Sequence, residues 1–143
     1  MRVRRSIVAT GAAVVLSTIG ALAPAAASAH TATHTLTFTS VVRKFVTFTT
    51  TTGAQADNDV SSGGKIIGFD EVHVTIGKTT SRADIAFALD GGLLDGTLKI
   101  SRKTGAATGP VTGGTGGFAG ATGAITGTSV TRNKEAITIT YRA

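Results

Sequence analysis

Residues 84–101 read DIAFALDGGLLDGTLKIS. Ile85, Phe87 and Leu89 alternate with Asp84, Ala86, Ala88 and Asp90, the period of two that marks a strand with one buried face. Asp90-Gly91-Gly92 then breaks the run, and glycine accepts the positive φ of a tight turn at no steric cost. Leu98 and Ile100 resume the alternation against Thr97, Lys99 and Ser101, so the stretch predicts two antiparallel strands joined by a hairpin.

The same period recurs outward in both directions. Leu36 and Phe38 alternate with Thr35, Thr37 and Thr39; Val72, Val74 and Ile76 with His73 and Thr75; Ile137, Ile139 and Tyr141 with Thr138, Thr140 and Arg142. Further turn-forming clusters fall at Thr51-Thr52-Gly53, Ser61-Ser62-Gly63-Gly64, Asp95-Gly96 and across Gly105 to Gly117. No window beyond residue 30 has a helical period. Strands are predicted near residues 33–40, 45–50, 66–76, 82–89, 94–102, 106–112, 118–130 and 135–142. Eight strands is the number at which a closed sheet leaves room for side chains or one small ligand, and closure removes exposed edges. The fold class expected is all-β, a closed antiparallel eight-stranded barrel. Pattern alone also allows a seven-stranded sandwich.

The chain starts differently. Arg2, Arg4 and Arg5 precede an apolar stretch from Ile7 to Leu22, then Pro24 and the small-residue run Ala27-Ser28-Ala29. That order reads as a cleavable export signal over residues 1–29, leaving His30 as the new N-terminus and residues 30–143 as one domain in a secreted, extracellular protein. Gly11, Gly20 and Pro24 interrupt the apolar stretch, which falls short of the ~20 continuous residues of a spanning helix. No membrane partner is expected after cleavage.

Losing the three arginines lowers the formal charge from +6 to +3. The remaining basic residues look scattered, with few aromatics among them, which argues against nucleic-acid binding. With no cysteine, neither disulfides nor thiolate chemistry is open to the domain.

The most distinctive stretch is Gly109 to Gly123. As a dinucleotide fingerprint it fails on context, because no helix follows it in a βαβ unit. Its residues Val111, Gly113, Gly114, Thr115, Gly116, Phe118, Ala121 and Gly123 match V-x-G-G-T-G-x-[FY]-x-x-A-x-G. That element resembles the one in dirigent proteins and allene-oxide-cyclase-like barrels. Other segments agree in order: Phe45-Val46-Thr47-Phe48, a polar loop Ala56-Asp57-Asn58-Asp59, Gly64-Lys65-Ile66-Ile67-Gly68, and Gly91 to Gly96 before Leu98. The resemblance implies an eight-stranded barrel whose lumen holds a small hydrophobic molecule, in a homodimer or homotrimer. Thr122 stands where many relatives carry Arg, and plant allene oxide cyclases have a pocket cysteine that this chain lacks. The glycines read first as structural, with Phe118 as an apolar plug at one barrel end.

Candidate chemistry is sparse. Asp70 shares parity with Ile66, Val72, Val74 and Ile76, so it is either a buried carboxyl able to act as general acid or base, or a solvated residue at a strand end. Asp57-Asn58-Asp59 either lines the lumen mouth or forms an ordinary solvated turn. It does not make an EF-hand, since Ser62 and Gly68 stand where Gly and Glu are required. His30 with His34 or His73 does not have the spacing of a specific metal site, and no Ser-His-Asp set is recognisable. Asp70 and Asn58 are the expected orienting or catalytic groups, and Phe38, Val72, Val74, Phe87, Leu98 and Tyr141 the expected ligand-binding side chains. Neither cofactor nor metal is expected.

The function expected is binding of a small hydrophobic molecule, with cyclisation or isomerisation under stereocontrol if the barrel is an enzyme. The alternatives are a non-catalytic extracellular carrier and a self-associating structural protein of the surface. A lumen with free space supports the first two, and one filled by Phe38, Phe87 and Leu98 the third.

Overall fold

The computed structural model describes residues 32–143; the expected export signal and His30 lie outside them. Eight strands follow in chain order: β1 (His34–Thr47), β2 (Thr52–Val60), β3 (Ile66–Thr75), β4 (Thr80–Leu89), β5 (Gly92–Ser101), β6 (Ala107–Gly114), β7 (Thr122–Thr131) and β8 (Lys134–Arg142). Each pairs antiparallel with the next, and β1 also pairs with β8, so the sheet closes into a barrel. The sandwich is excluded.

The expected number of strands is met, but two of the assignments differ. The segments 33–40 and 45–50 belong to one strand, β1, which is bent by a bulge at Arg43 between Val42 and Lys44 and ends at Thr47, with 48–50 in the connection that follows. A bulge adds one residue and inverts the alternation beyond it, which splits one strand into two apparent ones. The polar segment Ala56 to Asp59, expected as a loop, lies inside β2. Asp95-Gly96 is no turn either; it lies within β5, where the register against β6 slips.

Inward residues divide the barrel along its axis. Phe38 and Phe87 meet edge to face with centroids 5.6 Å apart, and Leu94, Ile125, Ile137 and Ile139 fill the space around them. Gly96 faces this core, and a Cβ there would collide with Cδ1 of Ile125, so the glycine lets Ile125 cross the lumen. One end of the barrel is plugged. Residues 116–118 form a short 3₁₀ turn that tucks Phe118 inside, edge-on to Tyr141 at 5.4 Å. The turn is tied to the β4–β5 hairpin: Thr115 donates its N–H to Leu93 O at 2.8 Å and Gly117 to Gly91 O at 2.8 Å. Gly116 sits at φ +60, a left-handed conformation that suits glycine.

The other end carries the β1–β2, β3–β4, β5–β6 and β7–β8 connections and stays open. No helix among the described residues is long and apolar enough to cross a membrane.

Candidate functional site

Behind the open end lies a cavity of about 230 Å³. Val72, Val74, Ile76, Leu98 and Ile100 form its apolar wall, and the ring of Phe45 stands at its mouth. Ser40, Gln55, Asp57, Asp70 and Glu135 supply its polar side. None of the side chains around it is Lys, Arg or His. A wider groove of about 640 Å³ runs along the outside of β4, β5 and β6, past Arg82, Lys99 and Pro110, and is open to solvent along its length.

The polar groups converge because the strands bring alternate residues inward. Gln55, Asp57 and Asp59 share the inner parity of β2, and Asp57 stands directly across from Asp70 on β3. Ser40 pairs with Asp59 on one side and with Glu135 on the other. Ser40 Oγ lies 2.9 Å from Oδ2 of Asp57 and 2.9 Å from Oδ2 of Asp70, and Gln55 donates from Nε2 to Asp57 Oδ2 at 2.6 Å. Asp57, Asp59 and Asp70 are 4%, 0% and 4% exposed. Oδ1 of Asp57, Oδ1 of Asp70 and both carboxyl oxygens of Asp59 have no well-formed hydrogen bond.

So many buried acids cannot all ionise. Burial pushes the Asp70 carboxyl up to about 9, and the charges of Asp59 and Asp57 add to the rise. Burial also lifts Asp59 to about 6, with Asp70 beside it working against the rise. Asp57 is raised by burial too, opposed by its hydrogen bonds from Gln55 and Ser40. Glu135 is raised by burial and then by the charge on Asp57. Asp70 is therefore a neutral acid at pH 7. A hydroxyl has one proton and cannot donate to both of its neighbours, so protonated Asp70 donates to Ser40 Oγ while Ser40 donates to Asp57. The three residues form a chain along which a proton can pass.

Asp70 is thus a buried carboxyl and not a solvated strand end, and Asp57 and Asp59 are likewise not part of a solvated turn. Asn58 lies between those two on the outward parity of β2, so its side chain does not join the cluster. Val72, Val74 and Leu98 border the cavity. Phe38 and Phe87 instead fill the core beyond it, while Tyr141 belongs to the plugged end, stacked on His34 with centroids 5.2 Å apart. His73 lies on the outer wall, 3.0 Å from Glu71. Gly113, Gly114, Thr115, Gly116 and Phe118 build the plug and its hairpin clamp, and Gly123 is the second residue of the strand that follows. Sequence reasoning missed Ser40, Gln55 and Glu135, and from the segment Asp57-Asn58-Asp59 it took Asn58 rather than the two acids beside it. Their signal was present: Ser40 continues the parity of Leu36 and Phe38, and Glu135 that of Ile137 and Ile139.

No protein-family profile matches the chain, and no curated protein matches it in sequence. Solved structures do resemble it. A pyocyanin demethylase superposes with a TM-score of 0.63 at 20% identity, over 76% of this chain and 99% of its own. An exo-specific intermolecular Diels-Alderase gives 0.65 at 10% identity, over 78% and 99%. A pterocarpan synthase dirigent protein gives 0.51 at 15% identity, over 78% and 83%. At these identities the likeness is one of fold.

Proposed function

We propose that the barrel binds a small hydrophobic molecule bearing an O–H or N–H group and acts on it as a cofactor-free cyclase or isomerase. The observation that carries the reading is the pair of buried, unpartnered oxygens, Oδ1 of Asp57 and Oδ1 of Asp70, on the polar side of a cavity whose other wall is apolar. Buried acceptors without a donor cost about 1–3 kcal/mol each, so a ligand that donates to them gains what the empty site lacks. Val72, Val74 and Leu98 hold its apolar body. Confinement in one folded conformation lowers the entropy that cyclisation must lose and selects one stereoisomer. Asp57, as carboxylate, takes a proton from the ligand while Asp70 returns one through the same cluster, so the protein ends as it began. A cavity of about 230 Å³ suits a small ligand or the reactive part of a longer one.

The exo-specific Diels-Alderase among the fold neighbours supports selectivity inside a barrel of this shape, and the pterocarpan synthase dirigent protein supports chemistry in one. Export by the leader and membership of the dirigent and allene-oxide-cyclase-like group belong to the same reading, as does self-association into a dimer or trimer through the exposed row Phe69, Ala88 and Leu93. Native mass spectrometry of protein from the culture medium, followed by turnover of an unsaturated fatty-acid epoxide analysed by chiral chromatography, tests it. A retained small molecule and one enantiomer of product are expected, with Asp70→Asn keeping binding and losing turnover by roughly 10²–10⁴-fold. Racemic product at the buffer rate with no retained molecule overturns it, and retention without turnover makes the barrel a carrier.

A further inference from the structure

The basic residues that look scattered along the chain gather at one end of the barrel. Lys78 lies in the β3–β4 connection, Arg102 and Lys103 in β5–β6, and Arg132 in the β7–β8 turn. Arg43 and Lys44 on β1 and Lys134 on β8 flank them, because the β7–β8 turn packs on β1: Val42 donates its N–H to Asn133 O at 3.0 Å. Arg82 and Lys99 stand directly opposite each other on the outer wall near the same rim. Only Lys65 and Arg142 of the described Lys and Arg residues belong to the plugged end. No acid occurs in the four open-end connections. Asp57, Asp59, Asp70 and Glu135 face the lumen, which leaves only Glu71, Asp84, Asp90 and Asp95 on the outside. The formal charge therefore understates how positive this rim is.

Large apolar side chains stand in the same ring. Phe48 is 60% exposed at the tip of the β1–β2 connection, and Val130 is 59% exposed beside the β7–β8 turn. The Phe48 tip is held firmly: Phe48 and Thr49 both donate backbone N–H groups to Thr52 O, and the Thr49 and Thr52 hydroxyls are 2.7 Å apart. Phe45, half exposed, joins this ring to the cavity mouth. Like charges gathered on one rim repel one another, and the bare apolar side chains among them gain by leaving water. Both are satisfied by one kind of surface, negatively charged outside and apolar just beneath.

We infer that the open end of the barrel docks on an anionic lipid bilayer, with the basic collar against the headgroups and Phe48 and Val130 inserted between them. The cavity mouth then faces the acyl region, so a hydrophobic ligand enters without crossing water. The row Phe69, Ala88 and Leu93 on the outer wall is a poorer candidate, since Glu71 and Asp95 flank it and an anionic surface repels them. Docking stands independently of whether the cavity is catalytic.

Co-sedimentation of residues 32–143, whose eight strands close the barrel, with phosphatidylcholine vesicles containing or lacking phosphatidylglycerol tests the inference. Binding is expected only to the anionic vesicles, weakening as salt rises from 0.1 to 1 M because the screening length falls to about 3 Å. Replacing Lys78, Lys103 and Arg132 by Gln lowers the partition coefficient roughly a hundredfold. Ser62→Asp with Lys65→Glu, an equal charge change at the plugged end, leaves it within about twofold, while Phe48→Ser lowers it about tenfold at unchanged charge. Circular dichroism confirms that each variant is folded. Equal binding to neutral vesicles, equal loss in the plugged-end variant, no effect of Phe48→Ser, or binding of heparin or DNA without binding of vesicles overturns the inference.

Discussion

Asp57 and Asp70 stand directly opposite one another on β2 and β3, and Ser40 reaches from β1 to within 2.9 Å of a carboxyl oxygen of each. Three strands thus meet at one hydroxyl. Ser40→Ala removes that hydroxyl and leaves two buried carboxyls without their shared partner, at a cost of about 1–3 kcal/mol. Urea denaturation at pH 7 should show a lower midpoint with an unchanged slope. Ser40→Thr, which keeps the hydroxyl, should lose less.

The acid cluster makes stability depend on pH with a definite sign. Asp59 and Asp70 are raised from 3.8 to about 6 and about 9, so the folded barrel holds protons that the unfolded chain releases. Their contribution is full below about pH 4, diminishes as pH rises through 6, and is gone above about 9. The melting temperature should be higher at pH 5 than at pH 8.5, by on the order of 10 °C. Asp70→Asn cannot titrate and should flatten the part of the profile between pH 6 and 9.

Gly96 and Ile125 are complementary. Gly96→Ala places a methyl against Cδ1 of a fully buried side chain and should destabilise by about 1–3 kcal/mol. Ile125→Val removes that carbon. The double variant should be more stable than the sum of the two single effects predicts, as measured by a double-mutant cycle in urea.

Phe118 closes the end opposite the cavity. Phe118→Ala should cost about 3–5 kcal/mol and open the lumen toward Tyr141. Binding of a fluorescent apolar dye such as anilinonaphthalene sulfonate should exceed that of wild type.

Much of the barrel was legible because one-sided burial repeats every second residue. The hairpin of residues 84–101, the alternation around Val72 and Ile137, and the plug at Phe118 could all be placed from neighbours in the chain. β2 escaped notice because its inner face is Gln55, Asp57 and Asp59, and a strand that turns carboxyls inward looks like a polar loop. β1 was divided because the bulge at Arg43 shifts its parity. The site was only partly legible. Asp70 stood out as an acid among apolar residues of one parity, whereas Asp57 and Asp59 lacked that contrast and Asn58 was a poor choice between them.

The sequence by itself determined that the chain forms hairpins of half-buried strands and that Asp70 shares a face with Val72 and Val74, whereas the number of strands was matched only because one division and one omission cancelled. The first two are short-range properties, set by alternation and turn chemistry within a few residues. Only the tertiary structure decided that Ser40, 30 residues from Asp70, meets it inside the lumen, and that Arg43, Lys78, Arg102 and Arg132 share one rim. Both depend on the register between strands and on β1 closing against β8, a long-range condition that no local pattern encodes.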